Sequence, residues 1–345
     1  MKKFHISYKI CGFILIFTLI ALTGCSREHD NLADKPTGKT QPVETPTTEE
    51  IIQAEESPTE ETPETEGPLT NIPPQTAETI TDEIQEEIIE PTITDVDWSD
   101  YFDGINGSAV IYNPIEKSYQ IYNQELALTQ RSPCSTFKII SSLIALENGI
   151  INPNNSTRTW SGEVFWNEDW NRDIDFSDAF HASCVWYFRE VIDEIGQNMI
   201  QEEIDKLQYG NCDISDWEGH LNTNNSNTAL TGFWIESSLL ISPKEQVEVM
   251  ERIFGDQTDY SEETLNRLKQ IMLLSEQSES DISIYGKTGM GKANGIVVDS
   301  WFTGFADTAE KRIYFCVYLG ETENQNVSSA KAREIAVEIV SNCLL

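Results

Sequence analysis

The stretch Ser135-Thr136-Phe137-Lys138 places a hydroxyl and an amine three residues apart at the start of an apolar helix. At that spacing both groups project from one face of the helix, one turn apart, and the amine can take the proton of the serine. The spacing alone is weak, since Ser328 and Lys331 repeat it in the same chain. There it indicates a capping serine beside a solvated lysine. The apolar residues on both sides of Lys138 favour a buried amine instead.

Three further motifs follow, and each has an ordinary structural interpretation when taken alone. Ser183-Cys184-Val185 opens a predicted helix, where the serine either caps the helix or passes a proton to a leaving nitrogen. Tyr209-Gly210-Asn211 has the composition of a turn. Lys287-Thr288-Gly289 lies on a predicted strand, where a cation and a hydroxyl beside a glycine can receive a carboxylate. The four motifs in this order are a much stronger signal than any one of them.

Hydrophobic patterning around these motifs predicts an α/β (α+β) fold, an antiparallel sheet flanked by helices with an all-helical lobe inserted into it. The first two strands form a hairpin, and a helix from Ser135 to Asn148 follows and ends at Gly149. The later predicted elements are helices after Asp175, at Val185 to Ile195, Pro243 to Phe254 and Glu262 to Leu274, strands at Ile282 to Thr288, Val297 to Ala306 and Arg312 to Leu319, and a closing helix at Ala330 to Val340. A cleft between such lobes is a common place for chemistry.

The first residues have the pattern of an export signal. Lysines precede an apolar run from Ile10 to Leu22, which is too short to span a bilayer of about 30 Å comfortably. Leu22-Thr23-Gly24-Cys25 is similar to a lipobox, so we expect 1–24 to be a lipoprotein signal peptide and Cys25 to be lipidated. The predicted location is the extracytoplasmic face of the cell membrane, reached through the lipid anchor only. The alternative is an ordinary cleaved signal with a chance cysteine.

Residues 25–97 have the composition of a disordered tether. From Ser26 to Asp97 there are 20 acidic and three basic residues among many Thr and Pro, and such a segment cannot bury a core. Self-repulsion predicts an extended spacer, with binding of cell-wall polymers as the alternative. The whole chain has a formal net charge of −35, which argues against nucleic acid as a partner. The remaining residues, 98–345, suffice for one large catalytic domain or two closely packed lobes.

The cysteines of the predicted domain do not form a metal motif. Seven are present in the chain, and apart from Cys11 in the signal and Cys25 five remain, an odd number that cannot all pair. They lack C-x-x-C spacing, so a zinc site is not expected. We expect small buried thiols at all five positions, which are Cys134, Cys184, Cys212, Cys316 and Cys343.

From about Trp98 to Leu345 the chain resembles a class D, or oxacillinase-type, serine β-lactamase. The resemblance rests on the four motifs and extends to Phe233-Trp234-Ile235-Glu236, Ile241-Ser242-Pro243 and Trp301-Phe302-Thr303-Gly304. It implies the fold that serine β-lactamases share with penicillin-binding transpeptidases. One departure is the stretch from Cys212 to Gly232, which is longer than usual and leaves the shape of one rim of the cleft open.

The resemblance also implies a role for each motif residue. Ser135 would be the nucleophile, Ser183 would assist proton transfer, and Lys138 would act as general base after N-carboxylation by carbon dioxide, with the Trp234 indole donating to the carbamate. An ordinary lysine is neutral in only about one molecule in 2,500 at pH 7, so burial must lower the pKa of this amine first. No other cofactor and no metal is expected. The implied oxyanion hole consists of the backbone N–H groups of Ser135 and Met290, and the implied substrate-binding residues are Lys287, Thr288, Gly289, Arg333, Val185, Ile235 and Tyr209.

The expected activity is hydrolysis of β-lactam antibiotics, a small-molecule reaction that confers resistance. Two alternatives remain open. A penicillin-binding peptidase shares the first and last motifs, but its middle motif ordinarily ends in Asn where this chain has Val185. A penicillin-sensing receptor is acylated and stays acylated, and such receptors contain several membrane spans and a zinc protease segment, which we do not expect here. The sequence leaves the range of substrates and the oligomeric state open.

Overall fold

The computed structural model describes residues 90–221, 226–274, 281–323, 325 and 327–344. The predicted signal peptide, Cys25 and most of the predicted tether therefore lie outside the described residues. Among the residues that are described, no helix is both long enough and apolar enough to cross a membrane.

A six-stranded sheet carries one wall of the site. Its strands are β1 (Thr92–Asp95), β2 (Gly107–Asn113), β3 (Ser118–Tyr122), β4 (Ser283–Ala293), β5 (Ile296–Asp307) and β6 (Arg312–Gly320). They lie in the order β1-β3-β2-β6-β5-β4, so β4 is at one edge. All pairs are antiparallel except β1 with β3.

Helices cover both faces of the sheet and fill the middle of the chain. The α-helices are α1 (Ser99–Phe102), α2 (Gln124–Ala127), α3 (Lys138–Glu147), α4 (Phe176–His181), α5 (Val185–Ile195), α6 (Gln197–Lys206), α7 (Pro243–Phe254), α8 (Glu262–Met272) and α9 (Ser329–Leu344). The 3-10 helices are Cys134–Phe137, Glu168–Trp170 and Thr228–Leu230. One apolar cluster packs α3, α5, α6 and α7 against a face of the sheet, and a second packs α9 against the other.

Local signals explain most of these boundaries. Helix α7 starts with a capping box, in which Ser242 and Glu245 bond each other's backbone N–H groups, followed directly by Pro243. Helix α3 is followed by Gly149 at a φ of 66°, the left-handed conformation that glycine adopts without strain. These features made the predicted helix ends accurate.

The structure confirms the predicted mixed α/β architecture and departs from it in three places. Strand β1 lies within the stretch that was assigned to the tether, so the last residues of that stretch belong to the sheet. Helix α6 was not predicted. Cys212 and Cys343 are half-buried rather than buried, whereas the other three cysteines of the folded part are buried as expected.

Candidate active site

The first motif brings its hydroxyl and amine into contact. Ser135 lies in the 3-10 helix Cys134–Phe137, and Lys138 begins α3 directly afterwards. The Lys138 Nζ donates to the Ser135 Oγ at 3.0 Å. The serine is half-buried, whereas the lysine is only 1% exposed. The pair has the geometry of a nucleophile next to a proton acceptor.

Burial changes the acid–base chemistry of Lys138. Loss of water around the amine lowers its pKa to about 8, against a small opposite effect from the thiols of Cys184 and Cys134. The ring of Phe188 lies 5.3 Å from the Nζ, which gives the charged form some cation–π stabilisation without a counter-ion. A substantial fraction of Lys138 is therefore neutral near physiological pH.

The chance repeat of the motif has the ordinary structure that was expected of it. The Ser328 Oγ accepts the backbone N–H of Lys331 at 3.2 Å, which is a helix cap. The Lys331 Nζ is turned away to Glu334, at 2.8 Å, on the exposed side of α9. Two identical spacings thus give a reactive pair and a surface pair, and burial makes the difference.

The second and last motifs meet across the cleft. The Lys287 Nζ donates to the Ser183 Oγ at 2.5 Å, so Ser183 does not cap α5 but faces strand β4. Ser183 has a φ of 55°, a strained backbone that aims its side chain into the cleft. Lys287 is 4% exposed, and burial together with the charge of Lys138 lowers its pKa well below the usual value. A serine in contact with an amine of perturbed pKa is well placed to transfer a proton.

The outer edge of β4 approaches the nucleophile closely. A Cβ added at Gly289 would lie 2.9 Å from the Pro133 carbonyl oxygen and 3.0 Å from a methyl carbon of Thr136, so only glycine permits this approach. At the same edge the Ile284 carbonyl accepts the Leu274 N–H. Because backbone groups alternate between the two edges of a strand, the Met290 N–H also points outward. This direction suits an oxyanion hole that is shared with the nucleophile.

Trp234 has the unpaired donor that the resemblance requires. Its side chain is fully buried and stacks on Phe137 with 6.3 Å between ring centroids. The indole Nε1 has no hydrogen-bond partner among the described residues. A buried indole N–H without a partner is costly, so its retention fits a group that binds there during function.

The other predicted substrate-binding residues divide into two groups. Val185 and Ile235 are both half-buried and pack against the larger core cluster, and their role in shielding the lysine stays a prediction. Tyr209 is a correction: its side chain is fully buried and packs edge-on against Phe137, with 5.5 Å between centroids. It supports the nucleophile helix from behind and does not reach a substrate.

Arg333 lies in the first part of α9. Its half-buried side chain lines a cavity of about 530 Å³ together with Leu274 and Val337. Leu274 joins the first part of β4 through Ile284, three residues before Lys287. That Arg333 and Lys287 hold one substrate carboxylate together stays a prediction.

Sequence reasoning missed the residues that surround the motifs. The ring centroid of Phe180 lies 5.5 Å from the Lys287 Nζ, and that of Phe188 lies 5.3 Å from the Lys138 Nζ. The Glu236 carboxylate accepts the Lys292 backbone N–H at 2.6 Å and thereby ties the loop after Trp234 to the end of β4. Phe180 and Phe188 fit the apolar pattern of their helices, and this pattern does not distinguish a core residue from a residue next to the site. No feature of the neighbouring sequence predicts the contact of Glu236 with Lys292.

Fold and site together define a penicillin-binding type of domain, with a serine just before a helix, a buried lysine in contact with it and a second serine–lysine pair. Residues 106–341 match the family model described as penicillin binding protein transpeptidase domain, and the chain belongs to this family.

Relatives of two kinds resemble the chain to a similar degree. Regulatory protein BlaR1 of Bacillus licheniformis is 32% identical over 247 residues, which are 71% of this chain and 38% of that protein. The match thus spans well under half of BlaR1. Beta-lactamase OXA-1 of Escherichia coli is 30% identical over 247 residues, which are 70% of this chain and 87% of that enzyme. Homology alone therefore leaves two activities open.

Solved structures show the same division. The C-terminal domain of the Bacillus licheniformis BlaR penicillin-receptor gives a TM-score of 0.64 at 30% identity, covering 74% of this chain and 98% of that one. A class D beta-lactamase from Sebaldella termitidis gives 0.63 at 26% identity with the same coverage of both chains. The fold is common to both, and the chemistry of the site has to distinguish them.

Proposed function

We propose that the protein is a class D-type β-lactamase, which opens the ring of β-lactam antibiotics through an acyl-enzyme on Ser135 and then hydrolyses it. The observation that carries the proposal is the contact of 3.0 Å between the Ser135 Oγ and a buried Lys138 amine whose pKa is lowered to about 8. The homologous β-lactamases and penicillin receptor support a β-lactam as the ligand.

In the first step the Ser135 Oγ attacks the ring carbonyl carbon while its proton passes to Lys138, which accepts it as the carbamate or, in the absence of carbon dioxide, as the neutral amine. The backbone N–H groups of Ser135 and Met290 stabilise the oxyanion that forms. Removal of one such donor typically costs about a hundredfold to a thousandfold in rate. This step needs only groups that lie at the outer edge of β4 and at the start of α3.

The intermediate collapses when the bond between the carbonyl carbon and the ring nitrogen breaks. The nitrogen needs a proton, and Ser183 can donate its own while it recovers one from the ammonium form of Lys287, to which it is hydrogen-bonded. Lys287 then takes up a proton from water, and the proton that Ser135 gave to Lys138 is released to water. The Lys287–Thr288–Gly289 strand also faces the position of the substrate carboxylate. Arg333 adds positive charge from α9 in a chain that is otherwise strongly acidic.

Hydrolysis of the acyl-enzyme needs a base that activates water. The site fits N-carboxylation of Lys138, because the amine is buried and partly neutral and the Trp234 Nε1 lacks a partner. Such a carbamate would supply an anionic general base in both half-reactions. Val185 and Ile235 shield the lysine from bulk water.

A penicillin sensor is the second candidate, because BlaR1 and the penicillin-receptor domain match this chain as well as the hydrolases do. In that function Ser135 is acylated by the same step, and the ester persists. The two candidates share every residue of the first step and differ in the second.

Nitrocefin distinguishes them in one assay. We expect the purified protein to give continuing colour formation at a constant rate, and the Ser135→Ala variant to give none. A single burst equal to the amount of protein, with no further product, would favour the sensor. Absence of both burst and turnover would reject β-lactam chemistry altogether.

We further propose that the protein is held at the extracytoplasmic face of the membrane by a lipid on Cys25 and that it confers resistance there. The lipobox-like sequence supports the anchor. Expression in a susceptible host should raise the penicillin concentration that stops growth, and the Ser135→Ala variant should not.

A further inference from the structure

Arg189 on α5 is the most highly connected charged residue next to the site. It is 9% exposed, and its guanidinium pairs with Asp193 at 3.1 Å and with Glu218 at 2.7 Å. It also donates to the carbonyl oxygens of Trp217, Glu218 and Thr231 at 3.3 to 3.4 Å. Most of these partners belong to the long 212–232 segment, of which the structure describes 212–221 and 226–232.

The two described arms of this segment pack on each other and then on Trp234. Gly219 has a φ of 64°, and a Cβ added to it would lie 2.3 Å from the Gly232 backbone nitrogen. A Cβ added at Gly232 would lie 2.1 Å from the Trp234 ring. Trp217 stacks on Phe233 with 5.2 Å between centroids. The Gly232 backbone thus packs directly against the Trp234 indole ring and leaves no room for a side chain between them.

The turn of α5 that contains Arg189 also contacts the amine of Lys138, through the neighbouring residue Phe188. Phe188, the residue before Arg189, places its ring 5.3 Å from the Lys138 Nζ. Helix α5 therefore contacts the lysine through Phe188 and the 212–232 segment through Arg189. A rigid helix between the two couples the position of the segment to the position of the site.

We propose that Arg189 is a positioning residue, which clamps the 212–232 segment onto α5, fixes the Trp234 indole and so controls how readily Lys138 takes up carbon dioxide. In that uptake the neutral nitrogen forms a bond to the carbon of carbon dioxide, one carbon–oxygen π bond opens to place the negative charge on oxygen, and the nitrogen gives a proton to water, which leaves a carbamate anion. The clamp stands on the contacts above, while the link to carbon dioxide rests on the proposed function.

The test compares Arg189→Met and Arg189→Lys with a matched control, Arg158→Met. Arg158 also pairs with two carboxylates of α5, Glu190 and Glu194, but it forms no ion pair or hydrogen bond with residues 212–221 or 226–232. The lysine variant keeps the charge and loses the planar fork, so it provides a folded comparison if the methionine variant unfolds. Melting temperatures show which variants are folded.

The direct measurement is the carbamate resonance in carbon-13 spectra of protein in labelled bicarbonate. We expect both Arg189 variants to need about tenfold more bicarbonate than wild type for half of the full signal, consistent with the loss of charge-assisted hydrogen bonds. The control should match wild type. An unchanged bicarbonate requirement in a folded Arg189 variant, or an equal change in the control, would overturn the positioning role.

Hydrogen exchange separates the clamp from the chemistry. Amides of 212–221 and 226–232 should exchange faster in the Arg189 variants than in the control, and equal exchange would overturn the clamp. If wild type shows no carbamate resonance, the link to carbon dioxide is overturned while the exchange result still decides the clamp. Nitrocefin turnover by wild type tests the proposed function separately from both.

Discussion

The pH dependence of Ser135 acylation should report the buried state of Lys138. Its pKa of about 8 leaves roughly one molecule in eleven neutral at pH 7, against about one in 2,500 for an unperturbed lysine. Burial therefore increases the reactive fraction roughly 200-fold. We expect the acylation rate to rise about tenfold per pH unit well below pH 8 and to level off above it, because only the neutral amine accepts the serine proton.

The assay follows labelling by a fluorescent penicillin under pseudo-first-order conditions, in buffers free of carbon dioxide, from about pH 6 to about pH 9.5. Lys331→Met is the matched control, since this lysine has the same spacing from a serine, is only half-buried and pairs with Glu334 instead of the serine. It should leave the whole profile unchanged. A flat profile, or a rise that continues to about pH 10, would refute the argument from burial.

Four further outcomes follow from the structure and sequence. Lys138→Met should abolish turnover but raise the free energy of unfolding by about 3 kcal/mol at pH 7, because a pKa shift from 10.5 to about 8 means that burial of the charged amine costs that much. The gain should shrink as the pH rises above 8, where the wild-type amine becomes neutral in the folded protein, and denaturant titration at two pH values measures it. Gly289→Ala should slow acylation by roughly a hundredfold with the circular dichroism unchanged, because its Cβ pushes β4 away from Pro133; wild-type labelling would contradict this. Arg333→Ala should raise KM with little change in kcat, the result of lost uniform binding, and unchanged steady-state constants would remove the residue from the site. Cys25→Ala should release the protein into the medium, and unaltered membrane fractionation would reject the anchor.

Spacing predicted the chemistry of this site better than it predicted the surroundings. A serine and a lysine three residues apart at a helix start share a face, so helix geometry permitted the contact of Ser135 with Lys138, and the apolar neighbours of Lys138 indicated the burial that distinguishes it from Lys331. The contact of Ser183 with Lys287 was not predicted, because 104 residues separate the two. No local rule states which distant strand faces a helix start.

The errors also have physical causes. Tyr209 belongs to a conspicuous motif, but the turn at Gly210 directs its ring into the core, where packing with Phe137 holds it. Strand β1 has four exposed residues and no alternating pattern, so it resembles the tether before it. Helix α6 buries only Ile200 and Ile204, a short signal beneath many polar residues. Each miss reflects tertiary packing that outweighs a weak local pattern.

Whether the protein hydrolyses or merely retains a β-lactam depends on what Lys138 becomes after acylation. Once Ser135 is an ester, its oxygen no longer supplies a proton, and at pH 7 most Lys138 amines are protonated and unable to activate water. Among the described residues, burial and two thiols dominate the pKa of this amine, and no carboxylate contributes appreciably. A second base must therefore be created at Lys138 itself, which is why the unpaired Trp234 N–H matters more for this distinction than any residue of the first step. A sensor needs the fold and the first step only, whereas a hydrolase needs, in addition, a stable anion in that buried space.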